Sequence, residues 1–174
     1  MSFVIISCED LELKEPGHQA PKTVTEDLTL PAVTVNKVKL HSEASGPPHS
    51  TMIVAIQSGP GNDYRQMLNC RDLAVYGYRV VIYDQRGSGL YHKLPVSFYT
   101  SVGIGALDAI YNELRGVISN YRTSYQQKDF LSGHHWCAMI ATAYTGKYPD
   151  EVQGLAIQEP DLADSVGSSA QPLH

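Results

Sequence analysis

Short continuous apolar runs alternate along this chain with stretches whose apolar residues recur every three or four positions. "TMIVAIQ" (51–57) and "YRVVIYD" (78–84) have the length and continuity of strands buried on both faces. "VQGLAIQEP" (152–160) predicts a later strand. Phe130 and Leu131 predict a short one, leading into a tight turn over Gly133-His134-His135-Trp136-Cys137. Upstream, "TLPAVTVNKVKLH" (29–41) predicts one or two outer strands with an antiparallel edge. Between the runs, "NDYRQMLNCRDLAVYG" (62–77) predicts a helix that Asn62 or Asp63 caps and Gly77 ends. In "VGIGALDAIYNELRGVISNYR" (102–122), Ile104, Leu107, Ile110, Tyr111, Leu114 and Ile118 form one apolar helical face. A last helix runs from Trp136 to about Tyr148, where Pro149 stops it.

Strand–helix–strand order implies an α/β fold: a mostly parallel sheet with helices on both faces. The expected domain spans 28–160, after an N-terminal segment (1–27) and before a polar tail (161–174). Chemistry in such sheets gathers at the carboxyl ends of the strands. Three loops rich in turn residues fall there, Gln57–Gly61, Asp84–Gly89 and Gly133–Cys137, and Glu159-Pro160 closes the last strand.

Composition narrows the classes. With 43% hydrophobic and 18% charged residues, the 174-residue chain is globular and long enough for one core. A net charge of −5 and scattered Lys and Arg argue against a nucleic-acid or anionic-membrane partner. Cys8, Cys70 and Cys137 are far apart and lack metal-ligand spacing; they read as reduced thiols of a cytoplasmic protein. No cofactor or metal is implied. The start "MSFVIISCEDLEL" lacks the basic region of a signal peptide, and no run is long enough for a membrane span.

"SGPG" after the first central strand, "YRVVIYDQRGSG", "SGHHWCAMIATAYTGKYP" and "VQGLAIQEP" together resemble the α/β-hydrolase fold, in order and spacing. The resemblance is to the proline iminopeptidase-like branch and covers roughly residues 51–160. That branch carries His-Gly-Gly-Pro-Gly, Asp-Gln-Arg-Gly-Ser-Gly and Gly-x-Ser-Trp-Gly. Here Gln57-Ser58-Gly59 stands for His-Gly-Gly, His135 occupies the nucleophile serine's place, and Cys137 replaces the following glycine. The family's catalytic acid and histidine and its cap domain are expected beyond the last strand, so the chain resembles the N-terminal portion of a hydrolase.

The resemblance implies a nucleophile elbow, a strand-to-helix turn at strained φ with its apex facing the site. Acyl transfer by the family route needs a serine oxygen, a base and an orienting acid. Ser58 and Ser132 are hydroxyls nearby in sequence, but neither holds the apex. What the elbow retains is the Trp136 N–H at a helix start, with a second donor expected from the Ser58–Gly59 loop. An imidazole at the apex, His135, can serve as general acid or base, with Glu159 orienting it and His134 as a weaker candidate. Asp84 and Arg86 read as a structural turn and ion pair, Trp136 as packing, and Tyr83, Tyr91 and Tyr99 as candidate pocket walls.

Two function classes follow. One is a non-hydrolytic catalyst acting on an apolar small molecule by cyclisation, isomerisation, dehydration or a lyase step. The other is a non-catalytic binding or interaction module, and residual hydrolysis is a distant third. The last strand's uncovered edge implies a homodimer or a partner chain.

Overall fold

The computed structural model describes residues 21–59, 62–91 and 105–160, and gives the backbone alone at 105, 106, 159 and 160. The six strands are β1 (Ala32–Val35), β2 (Val38–Ser45), β3 (Met52–Ile56), β4 (Arg79–Tyr83), β5 (Asp129–His135) and β6 (Val152–Pro160). They form one sheet in the order β1-β2-β4-β3-β5-β6. β1, β2 and β4 pair antiparallel, whereas β3 pairs in parallel with β4 and β5, and β5 with β6. The expected mostly parallel sheet is therefore present, with the antiparallel edge at β1–β2.

Alternation along the strands builds two cores. Val54, Ile56, Val81, Tyr83 and Leu131 point to one face, against Leu114, Val117 and Ile118 of α1 (Gly105–Tyr121) and Ile140, Ala141 and Tyr144 of α2 (Trp136–Lys147). Ala55, Val80 and Ile82 point to the other, against Met67. Helices thus cover both faces, as the sequence predicts. Burying one such side chain contributes about 1.5–3 kcal/mol, in keeping with the absence of charges from Met52–Ile56 and from 80–83.

Several local details differ from the expectation. The segment Tyr64–Tyr76 is helical but wound as a 3₁₀ helix; Asp63 caps it by accepting from the Arg65 N–H (2.9 Å), and Gly77 closes it at φ 87°. β5 does not stop at Leu131 but continues through Gly133 and His134 to His135, so no loop separates strand from α2. The β1–β2 connection is a two-residue hairpin in which Asn36 and Lys37 both hold positive φ (50° and 67°). Within the segment 1–27, Val24 is fully buried and its N–H donates to the Leu90 carbonyl (2.8 Å), tying that part to the loop after β4. Cys8, Ile104, Tyr99 and the tail 161–174 lie outside the described residues.

Candidate functional site

The turn from β5 into α2 is abrupt. His135 holds φ 50° and ψ −125°, a conformation that ordinary side chains avoid, and Trp136 begins the helix immediately after it. Two small residues make the turn possible. A Cβ on Gly133 would lie 2.4 Å from the Cys137 carbonyl oxygen, so only glycine lets α2 fold back this tightly onto β5. Cys137, fully buried, fills the second small position. The result is an elbow whose apex side chain, His135, is exposed at the carboxyl end of the sheet. The His134 ring packs edge-on against it, with centroids 4.0 Å apart.

The sheet registers bring other candidates to the same level. Tyr83 pairs with Ser42 and Ile56, Ile56 with Gly133, and His134 with Gln158. One position further, His41, Asp84, Gln57, His134 and Gln158 stand in a single row across five strands. This polar row, which strand-by-strand reading misses, marks where apolar strand gives way to a polar rim.

Asp84 organises the row's left half. It is fully buried; its Oδ1 accepts from the Tyr64 N–H (2.8 Å) and its Oδ2 from the Leu90 N–H (2.9 Å), while His41 Nδ1 lies 2.9 Å from Oδ2. It therefore fixes the start of the 3₁₀ helix and the loop after β4, the structural role expected of it. Arg86, read from the sequence as forming an ion pair with Asp84, pairs instead with buried Glu113 on α1 (Nε to Oε1, 2.5 Å); burial raises the Glu113 carboxyl despite that partner.

Around the elbow, the Gln85 amide bridges two elements by donating to the Gln57 carbonyl (3.2 Å) and to Cys137 Sγ (2.9 Å). Burial pushes the Cys137 thiol up to about 11, opposed by donations from the Gln85 amide and the Gly59 N–H. It is therefore a neutral packing group at physiological pH, not a nucleophile. Gly59 (φ 92°) sits against Trp136, its hypothetical Cβ 3.0 Å from the indole Cδ1. The Trp136 indole thus packs beneath the loop after β3, as predicted.

The expected second donor is placed differently. The Ser58 N–H donates to Gln66 Oε1 (3.3 Å), and the Gly59 N–H is shared between the Gln57 carbonyl (2.8 Å) and the Cys137 thiol, so both are already engaged. The Trp136 N–H, in the first turn of α2, has no intrahelical acceptor and faces the helix's positive end. The Gln57 amide and Trp136 Nε1 are among the described side-chain groups buried without a hydrogen-bond partner. Each carries unused hydrogen-bonding capacity beside the elbow.

Ser132 pairs with Ala55 and Ala156 inside the sheet, away from the apex, and no hydroxyl replaces the missing serine among the described residues there. Tyr83 and Tyr91, considered as pocket walls, are instead closed into the core. Glu159 lies at an irregularity in β6: His134 pairs with Gln158 and His135 with Pro160, so its backbone stands opposite the step between the two histidines. Its side chain lies outside what the structure describes. A cleft of about 560 Å³, lined by Asn112, Arg115, Ser119, Arg122, Tyr125 and Glu151, opens at the amino ends of β5 and β6. Arg115 and Arg122 are held there by Glu151 and Asp129, so the cleft is an ion-paired surface remote from the elbow.

Sheet order, crossovers and elbow define an α/β-hydrolase fold, and comparison with known proteins agrees. A family model described as serine aminopeptidase, S33, matches residues 49–173, and the chain belongs to that family. A proline iminopeptidase of Thermoplasma volcanium is 29% identical over 122 residues, covering 70% of this chain and 36% of that protein. Epoxide hydrolase B of Mycobacterium tuberculosis is 28% identical over 119 residues, covering 67% of this chain and 31% of its own length. The crystal structure of a proline iminopeptidase-related protein from Thermus thermophilus superposes with a TM-score of 0.59 at 24% identity, covering 74% of this chain and 43% of that one. The chain is thus proline iminopeptidase-like and spans about a third of the length of these curated relatives.

Proposed function

We propose that this chain uses the hydrolase elbow for a non-hydrolytic proton-transfer step on an apolar small molecule, with His135 as the acid–base group. The observation that carries the reading is the apex itself: an imidazole, exposed, on a backbone at φ 50° and ψ −125° in front of the start of α2. A strained conformation costs of order 1–3 kcal/mol and persists where the surrounding structure over-determines it. The side chain held there can accept or donate a proton, whereas the covalent route lacks its oxygen and the nearby thiol is neutral.

Of the expected reaction types, isomerisation asks least of this site. His135 takes a proton from the carbon between the carbonyl and the C=C bond of a β,γ-unsaturated carbonyl compound; the C–H pair becomes a new C=C bond and the carbonyl π pair moves onto oxygen, giving a dienolate. The Trp136 N–H is the donor to that enolate. The protonated imidazole then returns the proton to the γ carbon of the dienolate, which leaves the α,β-unsaturated isomer and consumes no co-reactant. The Gln57 amide and the Trp136 indole add hydrogen-bonding capacity beside the elbow. Glu159, opposite the His134–His135 step, is the residue proposed to orient the imidazole.

The second reading, a binding or interaction module, is supported by the outer edge of β6, which pairs with no other strand among the described residues. Comparative metabolite profiling separates the two, using cells with the intact gene, without it, and with a folded His135→Ala version. Loss or redirection of one product in both altered strains supports proton transfer at His135. An effect of deletion that His135→Ala does not reproduce supports the module, and an unchanged profile overturns the catalytic reading.

A further inference from the structure

The cleft at the amino ends of β5 and β6 takes no part in the chemistry assigned to the elbow, and polar groups line it. Asn112, Arg115, Gly116 and Ser119 recur on α1 at three- and four-residue steps, so they share one face of the helix. Gly116 seats that face against β1: a Cβ there would lie 2.1 Å from Val35 Cγ1, too close for any other residue. Glycine inside a helix costs about 1 kcal/mol relative to alanine, and the close approach is made in spite of that loss. Asn36, next to Val35 at the tip of the β1–β2 hairpin, thereby becomes the wall across from α1. The enclosed volume, about 560 Å³, is that of a small-molecule site.

The charges of the cleft pair with one another. Arg115 sets Nε and Nη2 on Glu151 Oε1 (2.9 and 2.7 Å), and Glu151 Oε2 accepts from the Tyr144 hydroxyl (2.7 Å). Arg122 donates from Nε to Asp129 Oδ2 and from Nη2 to the Glu151 carbonyl, each at 2.6 Å. An anion would therefore meet a carboxylate beside guanidiniums already neutralised, and a cation would meet the guanidiniums. An apolar molecule would strip water from these groups and return no hydrogen bond. Among the described residues, the side chains of Asn36, Asn112 and Ser119 have no hydrogen-bond partner. Each of them both donates and accepts. Tyr125 at the rim is fully exposed, so its ring offers an uncovered aromatic face.

We propose that this cleft binds a neutral polyhydroxylated ligand, a pyranose sugar or its glycoside, with its hydroxyls on Asn36, Asn112 and Ser119 and a C–H face of its ring on Tyr125. A sugar hydroxyl donates and accepts at once, which matches the two-sided amides and the serine hydroxyl in a way that a purely accepting anion does not. The paired arginines and Glu151 hold their remaining donors and lone pairs in fixed directions, so ordering them on binding costs little. The sugar site is independent of the chemistry assigned to His135, and either can fail alone.

The test is saturation-transfer NMR of the full chain with methyl α-glucopyranoside, methyl β-galactopyranoside and maltose as probes, followed by titration of each responding sugar. Transfer to at least one of them is expected, with the shifted backbone amides at Asn36 and along 112–125. Tyr125→Ala is expected to raise the dissociation constant roughly five-fold, and Tyr125→Phe to keep the original value, because the ring rather than the hydroxyl makes the contact. Asn112→Leu is expected to raise it several-fold as well. Inorganic phosphate and citrate are expected not to displace the sugar. No transfer to any of the probes overturns the proposal, as do shifts centred on the elbow or binding indifferent to both Tyr125→Ala and Asn112→Leu. Displacement by phosphate or citrate overturns it too, since that marks an anion site. Tyr125 is fully exposed, so its variants keep the test open even if Asn112→Leu folds poorly.

Discussion

At the scale of single residues, two side chains two positions apart, His135 and Cys137, set the character of the elbow. His135 holds a backbone conformation that glycine tolerates best. His135→Gly is therefore expected to stabilise the fold by about 1 kcal/mol while removing the apex group, as a higher urea midpoint at unchanged slope will show. A site that trades stability for a particular side chain predicts this opposition. Cys137 behaves differently. With its thiol pushed up to about 11, it is expected to resist alkylation at pH 7.5 in the folded chain and to react on unfolding. The pH dependence has a definite sign: the folded value lies above the unfolded one, near pH ~8.5, so the contribution is complete below that and is lost as pH climbs towards 11. Cys137→Ala should flatten that part of the alkaline stability curve relative to the unsubstituted chain.

At the scale of elements, Asp84 decides how β2, β4 and the 3₁₀ helix Tyr64–Tyr76 meet. Asp84→Asn exchanges a carboxylate that accepts two backbone N–H groups and faces His41 for an amide that can no longer satisfy all three. A loss of about 2–4 kcal/mol is expected by chemical denaturation, with Cys137 still slow to alkylate if the elbow stays shut. Much of this level was legible in the sequence. β3 and β4 announce themselves because a strand buried on both faces can hold only apolar residues, and the capping role of Asp63 and the stop at Gly77 follow from backbone chemistry. The elbow was legible from the spacing of Gly133, His135 and Cys137. What stayed hidden depends on partners distant in the chain. The period of an apolar face hardly separates a 3₁₀ from an α-helix, so the winding of 64–76 is fixed by packing against β4. β5 runs on to His135 because β6 pairs with it that far, and neither strand's own residues state that register.

For the molecule as a whole, the row His41–Asp84–Gln57–His134–Gln158 shows the division of labour. Its left half is consumed by structure, and its right half, beside His135, includes the open hydrogen-bonding groups of the Gln57 amide. No single segment reveals the row, because it exists only once five strands are aligned. The engagement of the Ser58 N–H has the same origin: it depends on where Gln66 falls in the helix that follows. The chain keeps the family's elbow with an imidazole at the nucleophile's position, and the proposed proton transfer rests on this combination.

The most direct test of that claim is mass spectrometry of the chain's reaction in deuterated water, with a metabolite extract from cells lacking the gene as the source of substrate. Proton transfer through His135 predicts that one metabolite acquires solvent deuterium at carbon with the unsubstituted chain and does not with His135→Gln. Deuterium uptake that survives His135→Gln, or products that have gained the elements of water, would contradict the account.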